Sequence, residues 1–326
     1  MRVLVTGATG MLGRRTAVAL AARGNEVTVL QRRPSGLECR EVLGDVADPA
    51  VVQRATAGQD TVVHLAAKVD VVGPWAEYAH ANIEGTRTVL AGCRSAGVRR
   101  LVHVSSPSVA HAGHALVGAG PDPADPALAR SHYSRSKAVA EQEALAADSA
   151  DRGVLVIRPH LVWGPGDTQL VARIVDRARA GRLFRIGTGA ALIDTTYVSN
   201  AVDALLAAVD SDRHGEALVV SNGEPRPVAD ILAGLCRAAG LPGPRGWVPV
   251  LAARAAAGGV EALWWALGRR DVPPLSRFLV EQLTTAHWFD QRHTRRALGW
   301  TPAVSLDDGF EVLARWYADA GLHQPA

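Results

Sequence analysis

The chain has 326 residues, 48% of them hydrophobic and 21% charged, with a formal net charge of +3. That much apolar sequence can bury a core larger than one ordinary domain needs, and it excludes a disordered chain. Basic residues are offset by acidic ones and do not cluster, which excludes a nucleic-acid-binding footprint. Cys39, Cys93 and Cys236 lie far apart with no C-x-x-C pair, so neither a disulfide framework nor a metal site is expected. Strand-like sequence follows Met1 at once, and no apolar run reaches the ~18 residues of a membrane span. A soluble, cytoplasmic protein without a leader is the expectation.

In chain order, the spacing predicts a strand at Val3–Thr6, a helix at Leu12–Ala22 and a strand at Val27–Leu30. A helix at Ala50–Ala57 and a strand at Thr61–Leu65 follow. Then come a helix at Ala79–Ala96, a strand at Leu101–Val104, a helix at Ser131–Ala147 and a strand at Val154–Ile157. Alternating β and α at this spacing argues for βαβ units and a parallel sheet. The strands are almost wholly apolar, as strands covered on both faces must be. Beyond Gly164-Pro165-Gly166 the pattern loosens. Helices are predicted at Thr168–Ala180 and Ala201–Val209, and strands around Asp194–Val198 and at Ala217–Val220. Residues 241–274, rich in Pro, Gly, Ala and Trp, classify least well. A turn at Thr301–Leu306 and a helix at Phe310–Asp319 close the chain. Six of the 8 Trp, from Trp247 to Trp316, fall in this last third.

Gly7-Ala8-Thr9-Gly10-Met11-Leu12-Gly13 is a G-x-x-G-x-x-G run between the first strand and first helix. Gly7 permits a tight turn, Gly10 a close approach of backbone to a pyrophosphate, and Gly13 close helix–strand packing. The helix N-terminus offers unpaired N–H groups to phosphate. The fold class is therefore α/β, a Rossmann-type doubly wound parallel sheet, with a smaller, mainly helical C-terminal substrate-binding domain. The second strand ends in Gln31-Arg32-Arg33, where an NAD site usually has a carboxylate for the ribose hydroxyl. Guanidinium in its place suits a 2′-phosphate, so NADP(H) is read in preference to NAD(H). After a third strand, Asp45-Val46 would reach the adenine, with a plain turn role for Asp45 left open.

Tyr133 and Lys137, at i and i+4, share a helix face. A phenol near pKa ~10 exchanges protons poorly at neutral pH, and a neighbouring ammonium is expected to lower that value. Ser105-Ser106 ends a predicted strand at the edge where ligands of such sheets bind, and supplies a second donor.

With these motifs in view, the chain resembles the extended short-chain dehydrogenases/reductases, in their 3β-hydroxysteroid dehydrogenase-like branch, over nearly its whole length. Further matching elements are His64-Leu65-Ala66-Ala67, Asn82, Arg158-Pro159 and Arg296–Pro302. The resemblance implies that Ser106, before Pro107-Ser108-Val109-Ala110, is the catalytic serine rather than Ser105. It also implies that Asn82 organises a proton relay, and that Leu65, Ala66, Ala67, Lys68, Ser105, Pro159 and Val162 join the cofactor-binding set. Residues 1–163, with a returning segment at about 194–221, would bind NADP(H); 164–193 and 222–326 would form the substrate and lid region. Within the branch, Ala66–Lys68, Val162–Asp167, Ser221–Pro225 and Val272–Leu283 look similar to the 2-alkyl-3-ketoalkanoate reductases of bacterial olefin and β-lactone pathways. That implies NADPH-dependent reduction of a fatty-acid-derived β-keto acid with two alkyl chains. A homodimer, and contact with a membrane surface or with other pathway enzymes, are further expectations. Steroid dehydrogenase (with or without isomerase activity), nucleotide-sugar epimerase or dehydratase, and a non-catalytic redox sensor are the competing readings. The last fits poorly with the Tyr/Lys pair.

Lys68 and His160 are candidates for the substrate carboxylate, beside surface or packing roles, and Arg277 is read as solvated. His103, His111 and His114 read as a histidine-rich loop cluster without metal-binding partners. Trp264-Trp265 reads either as packing or as an apolar lid.

Overall fold

The β-branched runs of the N-terminal half form parallel strands in the computed structural model, which describes residues 1–69, 73–111, 113–269 and 273–319. The elements begin with β1 (Arg2–Thr6), α1 (Met11–Ala22), β2 (Glu26–Gln31), β3 (Arg40–Leu43), α2 (Pro49–Thr56) and β4 (Thr61–His64). Next come α3 (Trp75–Tyr78), a wider π-type segment at Ala79–Glu84, α4 (Gly85–Ala96), β5 (Arg100–Val104), β6 (Leu116–Ala119), α5 (His132–Ala146) and β7 (Gly153–Pro159). Then follow β8 (Val162–Trp163), α6 (Val171–Arg179), β9 (Arg185–Ile186), β10 (Leu192–Ile193), β11 (Thr196–Tyr197), α7 (Val198–Asp210) and β12 (Glu216–Val220). The chain closes with β13 (Arg226–Pro227), α8 (Val228–Ala238), β14 (Trp247–Val248), α9 (Val250–Ala266), α10 (Arg277–Thr284), β15 (His287–Phe289), α11 (Arg292–Leu298) and α12 (Leu306–Asp319).

The main sheet runs β12-β7-β5-β4-β1-β2-β3, with every neighbouring pair parallel. Strand order reverses between β1 and β4, so the crevice at their C-terminal ends is the ligand-binding switch point of such sheets. Side chains alternate between two cores. Val3, Val5 and Val63 pack with Leu20 and Leu205 on the α1/α7 face. Leu4, Val62 and Leu101 pack with Val52 and Val89 on the α2/α4 face. Burial on both faces explains why these strands show no polar alternation.

A third core gathers α6, α8 and α12 around Trp163, which is fully buried. Its ring stacks on Phe310 at 4.8 Å and meets the Tyr197 ring edge-on at 5.3 Å, while its indole N–H donates to Thr195 at 2.9 Å. A smaller sheet, β13-β10-β15-β6, stands beside it.

The structure departs from the sequence reading at several places, three of which bear on the site and the second domain. The helix predicted over Ala79–Ala96 opens with a π-type turn that carries Asn82. The strand predicted around Asp194–Val198 is divided between β10 and β11, leaving Asp194 and Thr195 at the junction. Helix α8, absent from the predicted elements, packs against α12 through Gly234, where a Cβ would lie 2.7 Å from the Phe310 ring. Val272, part of one family-like segment, lies outside the described residues.

Candidate active site

Gly7 adopts φ +79, and a Cβ there would lie 2.8 Å from the Ala66 amide nitrogen. A Cβ on Gly13 would lie 2.4 Å from the Gly7 carbonyl oxygen. Both positions therefore require glycine for the loop to close. The Gly10 N–H donates to Gly7 O, and no side-chain cap or acidic residue occupies the first turn of α1. The amides of Met11, Leu12 and Gly13 are the unpaired donors of that turn, with exposed Thr9 beside them. An uncapped helix N-terminus above a glycine cradle fits a dinucleotide pyrophosphate.

Across the crevice, the Thr6 hydroxyl accepts from the Leu65 and Ala66 amides at 3.2 and 3.0 Å, tying the loop after β4, with Ala67, to the end of β1. Gln31 is buried, and its amide is engaged with Glu41 on β3. Glu41 also accepts from the backbone and hydroxyl of Ser35, both at 2.8 Å, which hold its carboxyl below the usual range. A carboxylate missing from the end of β2 is thus brought alongside by β3, but its Oε1 is spent on this turn. Arg32 and Arg33 are exposed beyond it. The Asp45 carboxylate takes up a turn role, accepting from Ala47 N–H at 2.9 Å and facing His80 at 3.3 Å. Burial pushes Asp45 up, but these donors outweigh it and its pKa is lowered. Val46 fills the space over Gly85, where a Cβ would lie 2.7 Å from its Cγ1.

The capping box of Ser131 and Ser134 starts α5 and sets Tyr133 on the wall of the crevice. The Tyr133 hydroxyl faces Ser106, whose own hydroxyl lies 3.0 Å from Ser108 Oγ. Ser106 lines the same cavity as Tyr133. Ser105 instead turns inward, with a buried hydroxyl that has no protein partner. Lys137 is buried, and its ammonium donates to the Val104 carbonyl at 2.5 Å. Burial pushes Lys137 down to about 8, with Glu141 opposing. The expected lowering of Tyr133 by this ammonium is not what the structure shows: burial raises the phenol, and only the neighbouring Ser106 pulls it down.

The Asn82 side chain accepts from the Lys68 amide at 2.7 Å and donates to the Lys68 carbonyl at 3.1 Å and to Ser136 Oγ at 2.8 Å. It braces the cofactor-side loop against α5. A buried Arg158–Glu141 ion pair locks β7 to the same helix, with Arg158 also donating to the Asp122 carbonyl at 2.8 Å. Pro159 ends β7, and Val162 pairs with Thr196 at the start of β8.

Two expected groupings do not form. Lys68 pairs with Glu77 at 3.0 Å and sits over the Tyr78 ring, so its charge is already matched. His103 leaves the His111–His114 pair and packs inside the sheet 5.4 Å from His64. His64 is bonded through Thr6 and Thr86, and burial pushes its pKa down to about 3.

A cavity of 370 Å³ opens on Ser106 and Tyr133, lined by Leu161, Ile174, Ile231, Leu235, Phe278 and Leu283 among others. No Asp or Glu is among its described lining residues. Helix α10 supplies Phe278, Leu279, Gln282 and Leu283 to this wall, whereas neither Trp264 nor Trp265 reaches it. Trp265 is 86% exposed, and Trp264 lies under the Arg269 guanidinium at 4.5 Å. The underside of α9, through Ala253 and Ala257, packs on Ile186 and Val280 instead.

Sequence reasoning missed one cluster. His160 Nδ1 faces Asp194 Oδ1 at 2.5 Å, and its Nε2 lies 3.2 Å from His287 Nδ1. His160 was legible only as an isolated candidate, because its partners lie on β15 and at the β10–β11 junction.

Fold and site together define an oxidoreductase that works on an alcohol or ketone with a nicotinamide dinucleotide. Residues 3–221 match the NAD dependent epimerase/dehydratase family. The 2-alkyl-3-oxoalkanoate reductase of Stenotrophomonas maltophilia (strain K279a) is 39% identical over 324 residues, spanning 96% of this chain and 98% of the relative. The 3-beta-hydroxysteroid dehydrogenase of Mycolicibacterium neoaurum is 29% identical over 339 residues, spanning 98% and 92%. Among solved structures, MoeE5 in complex with UDP-glucose and NAD aligns with a TM-score of 0.76 at 26% identity, over 98% of this chain and 99% of that one. The chain belongs to the NAD dependent epimerase/dehydratase family, the extended short-chain dehydrogenases/reductases. Among the described residues, no helix is long and apolar enough to cross a membrane.

Proposed function

We propose that the protein reduces the ketone of a 2-alkyl-3-ketoalkanoic acid to the 3-hydroxy acid with NADPH, in long-chain olefin or β-lactone formation. The observation that carries this reading is the apolar cavity, free of acidic lining residues among those described, that ends on Ser106 and Tyr133. Its wall of aliphatic and aromatic side chains suits alkyl chains better than the hydroxyl-covered ring of a nucleotide sugar. The name of the Stenotrophomonas relative supports it as well. Exposed Arg32 and Arg33 favour a 2′-phosphate over a bare ribose.

The nicotinamide, when bound, supplies the hydride. Ser106 and Tyr133 both donate to the ketone oxygen, and Tyr133 transfers its proton as the oxygen gains charge. The buried Lys137 ammonium stabilises the phenolate left behind. Asn82 and the Arg158–Glu141 pair hold the loop and helix that keep these groups in register.

The same reading includes a lipid contact. Leu251, Leu263, Trp265 and Leu267 are 80%, 52%, 86% and 61% exposed on or just beyond α9. Exposed Arg254 and Arg269 complement an anionic bilayer surface.

A steroid substrate is the second reading, favoured by the same apolar lining and by the Mycolicibacterium relative. The deciding experiment measures NADP⁺ and NAD⁺ reduction with a 2-alkyl-3-hydroxy acid, a 3β-hydroxysteroid and a nucleotide sugar. NADP⁺-dependent oxidation of the hydroxy acid is expected. Turnover confined to the steroid or the sugar overturns the proposal.

A further inference from the structure

The buried polar groups between β7, β10 and β15 form one hydrogen-bonded chain whose proton count can be worked out. Asp194 is fully buried, and its Oδ2 accepts from Ser221 Oγ at 2.7 Å and from the Phe289 amide at 3.0 Å. At the other end, His287 Nε2 lies 3.0 Å from the Gln282 carbonyl, which can only accept. The His287 proton is therefore on Nε2. Burial, with His160 adding to it, pushes the His287 pKa down to about 4, so Nδ1 carries a lone pair at neutral pH. That lone pair needs a donor, and His160 Nε2, 3.2 Å away, provides it. His160 Nδ1 against Asp194 Oδ1 needs a proton as well. His160 thus faces the Asp194 carboxylate through Nδ1 and aims an Nε2–H away from it.

This donor lies beside the reacting centre. The β5/β7 pairing ends with Val104 against Ile157 and the Ser105 amide on the Ile157 carbonyl, so Ser106 and His160 follow closely beyond the paired ends of the two strands. Adjacent strands are only ~4.8 Å apart. Immediately after His160 the chain turns through Leu161, which has φ 43, a conformation unfavourable for a residue with a Cβ. His160 and His287 both line the cavity with Ser106 and Tyr133. A 3-keto acid carries its carboxylate two bonds from the ketone carbon, so the group receiving it must sit near Ser106.

We propose that His160, held by Asp194, receives the substrate carboxylate, donating its Nε2–H to a carboxylate oxygen in place of the His287 lone pair. This rests on reading the substrate as a 3-keto acid, and it makes His160 a specificity residue for that acid. The cavity also presents Arg173 and Arg177, one helical turn apart on α6, as competing cations, together with Arg130, whose charge is already matched by Glu281 at 3.0 Å.

The test is equilibrium binding to the full chain, with tryptophan fluorescence as the readout. The probes are a 2-alkyl-3-hydroxy acid and the matching long-chain secondary alcohol without the carboxyl group. Wild type is expected to bind the acid at least about tenfold more tightly than the alcohol, as a charge-assisted hydrogen bond allows. H160L is expected to lose that preference, and H160Q, which retains a side-chain N–H, to bind the acid more tightly than H160L does. R173A/R177A is expected to keep the preference. Equal binding of acid and alcohol by wild type overturns the proposal, as does a preference kept in H160L or lost in R173A/R177A. Should H160L fail to fold, the wild-type comparison and the paired arginine variant still decide. Turnover is scored separately: acid binding through His160 with turnover of steroids alone keeps this site and overturns the substrate assignment.

Discussion

Lys137→Met removes a buried charge whose energetic consequence can be worked from the structure. Burial moves the ammonium from 10.5 to about 8, a shift worth about 3 kcal/mol against the folded state. Methionine fills similar space without the charge. The substitution also takes the donor from the Val104 carbonyl, and a buried acceptor left unpaired costs about 1–3 kcal/mol. The Arg158–Glu141 pair stays intact, since Arg158 meets both Glu141 oxygens. K137M is therefore expected to lie between equal stability and about 2 kcal/mol more stable than wild type at pH 7 by denaturant unfolding. Turnover is expected to fall by roughly a hundredfold or more with loss of the cation behind the phenolate. The pH dependence carries a sign. A lysine lowered in the folded state binds fewer protons folded than unfolded between about 8 and 10.5. Wild-type stability should accordingly rise through that window relative to K137M, and the difference should be flat below it. A variant destabilised by more than about 2 kcal/mol, with no pH-dependent difference, refutes the view of Lys137 as a cation held against its solvation preference.

Tyr133→Phe should lose roughly a thousandfold in kcat while binding NADPH as wild type does, checked by single-turnover kinetics and nucleotide fluorescence; a near-normal kcat removes Tyr133 from its role. Arg32→Ala with Arg33→Ala should lower the ratio of kcat/KM with NADP⁺ to that with NAD⁺ by about tenfold or more, and an unchanged ratio means the two guanidiniums stay in solvent. Replacing Leu251 and Trp265 by Ser should weaken co-sedimentation with phosphatidylglycerol vesicles at least about tenfold, given the apolar area lost. Equal sedimentation of the two proteins removes α9 from any lipid contact.

What could be read from the chain and what could not divide along a physical line. Gly7, Gly10 and Gly13 carry their meaning locally, because a tight turn and a helix start are settled within a few residues. Tyr133 and Lys137 are likewise one helical turn apart. Even so, only the assembled structure shows that burial governs Tyr133, since its surroundings come from β5 and the cavity wall. Gln31 looked free because its partner Glu41 sits on the neighbouring strand, ten positions away along the chain. Asp194 and His287 lie 34 and 127 positions from His160 and meet it only where the turn after β7, the β10–β11 junction and β15 come together. Trp264 and Trp265 showed helical spacing, which says that a face is apolar but not which way the face points. That direction is set by Ala253 and Ala257, which are small enough to bury against Val280 and so turn Trp265 outward.

On the proposed function, this site moves a hydride between a nicotinamide and C3 of a branched 3-oxygenated fatty acid. A 2-alkyl-3-hydroxy acid bearing deuterium at C3, incubated with the enzyme and NADP⁺, tests it directly by mass spectrometry of the nucleotide. Reduced nucleotide carrying one deuterium for each molecule of acid oxidised is the expected result. Reduced nucleotide without deuterium, or label transferred only from a 3β-hydroxysteroid deuterated at C3, contradicts it.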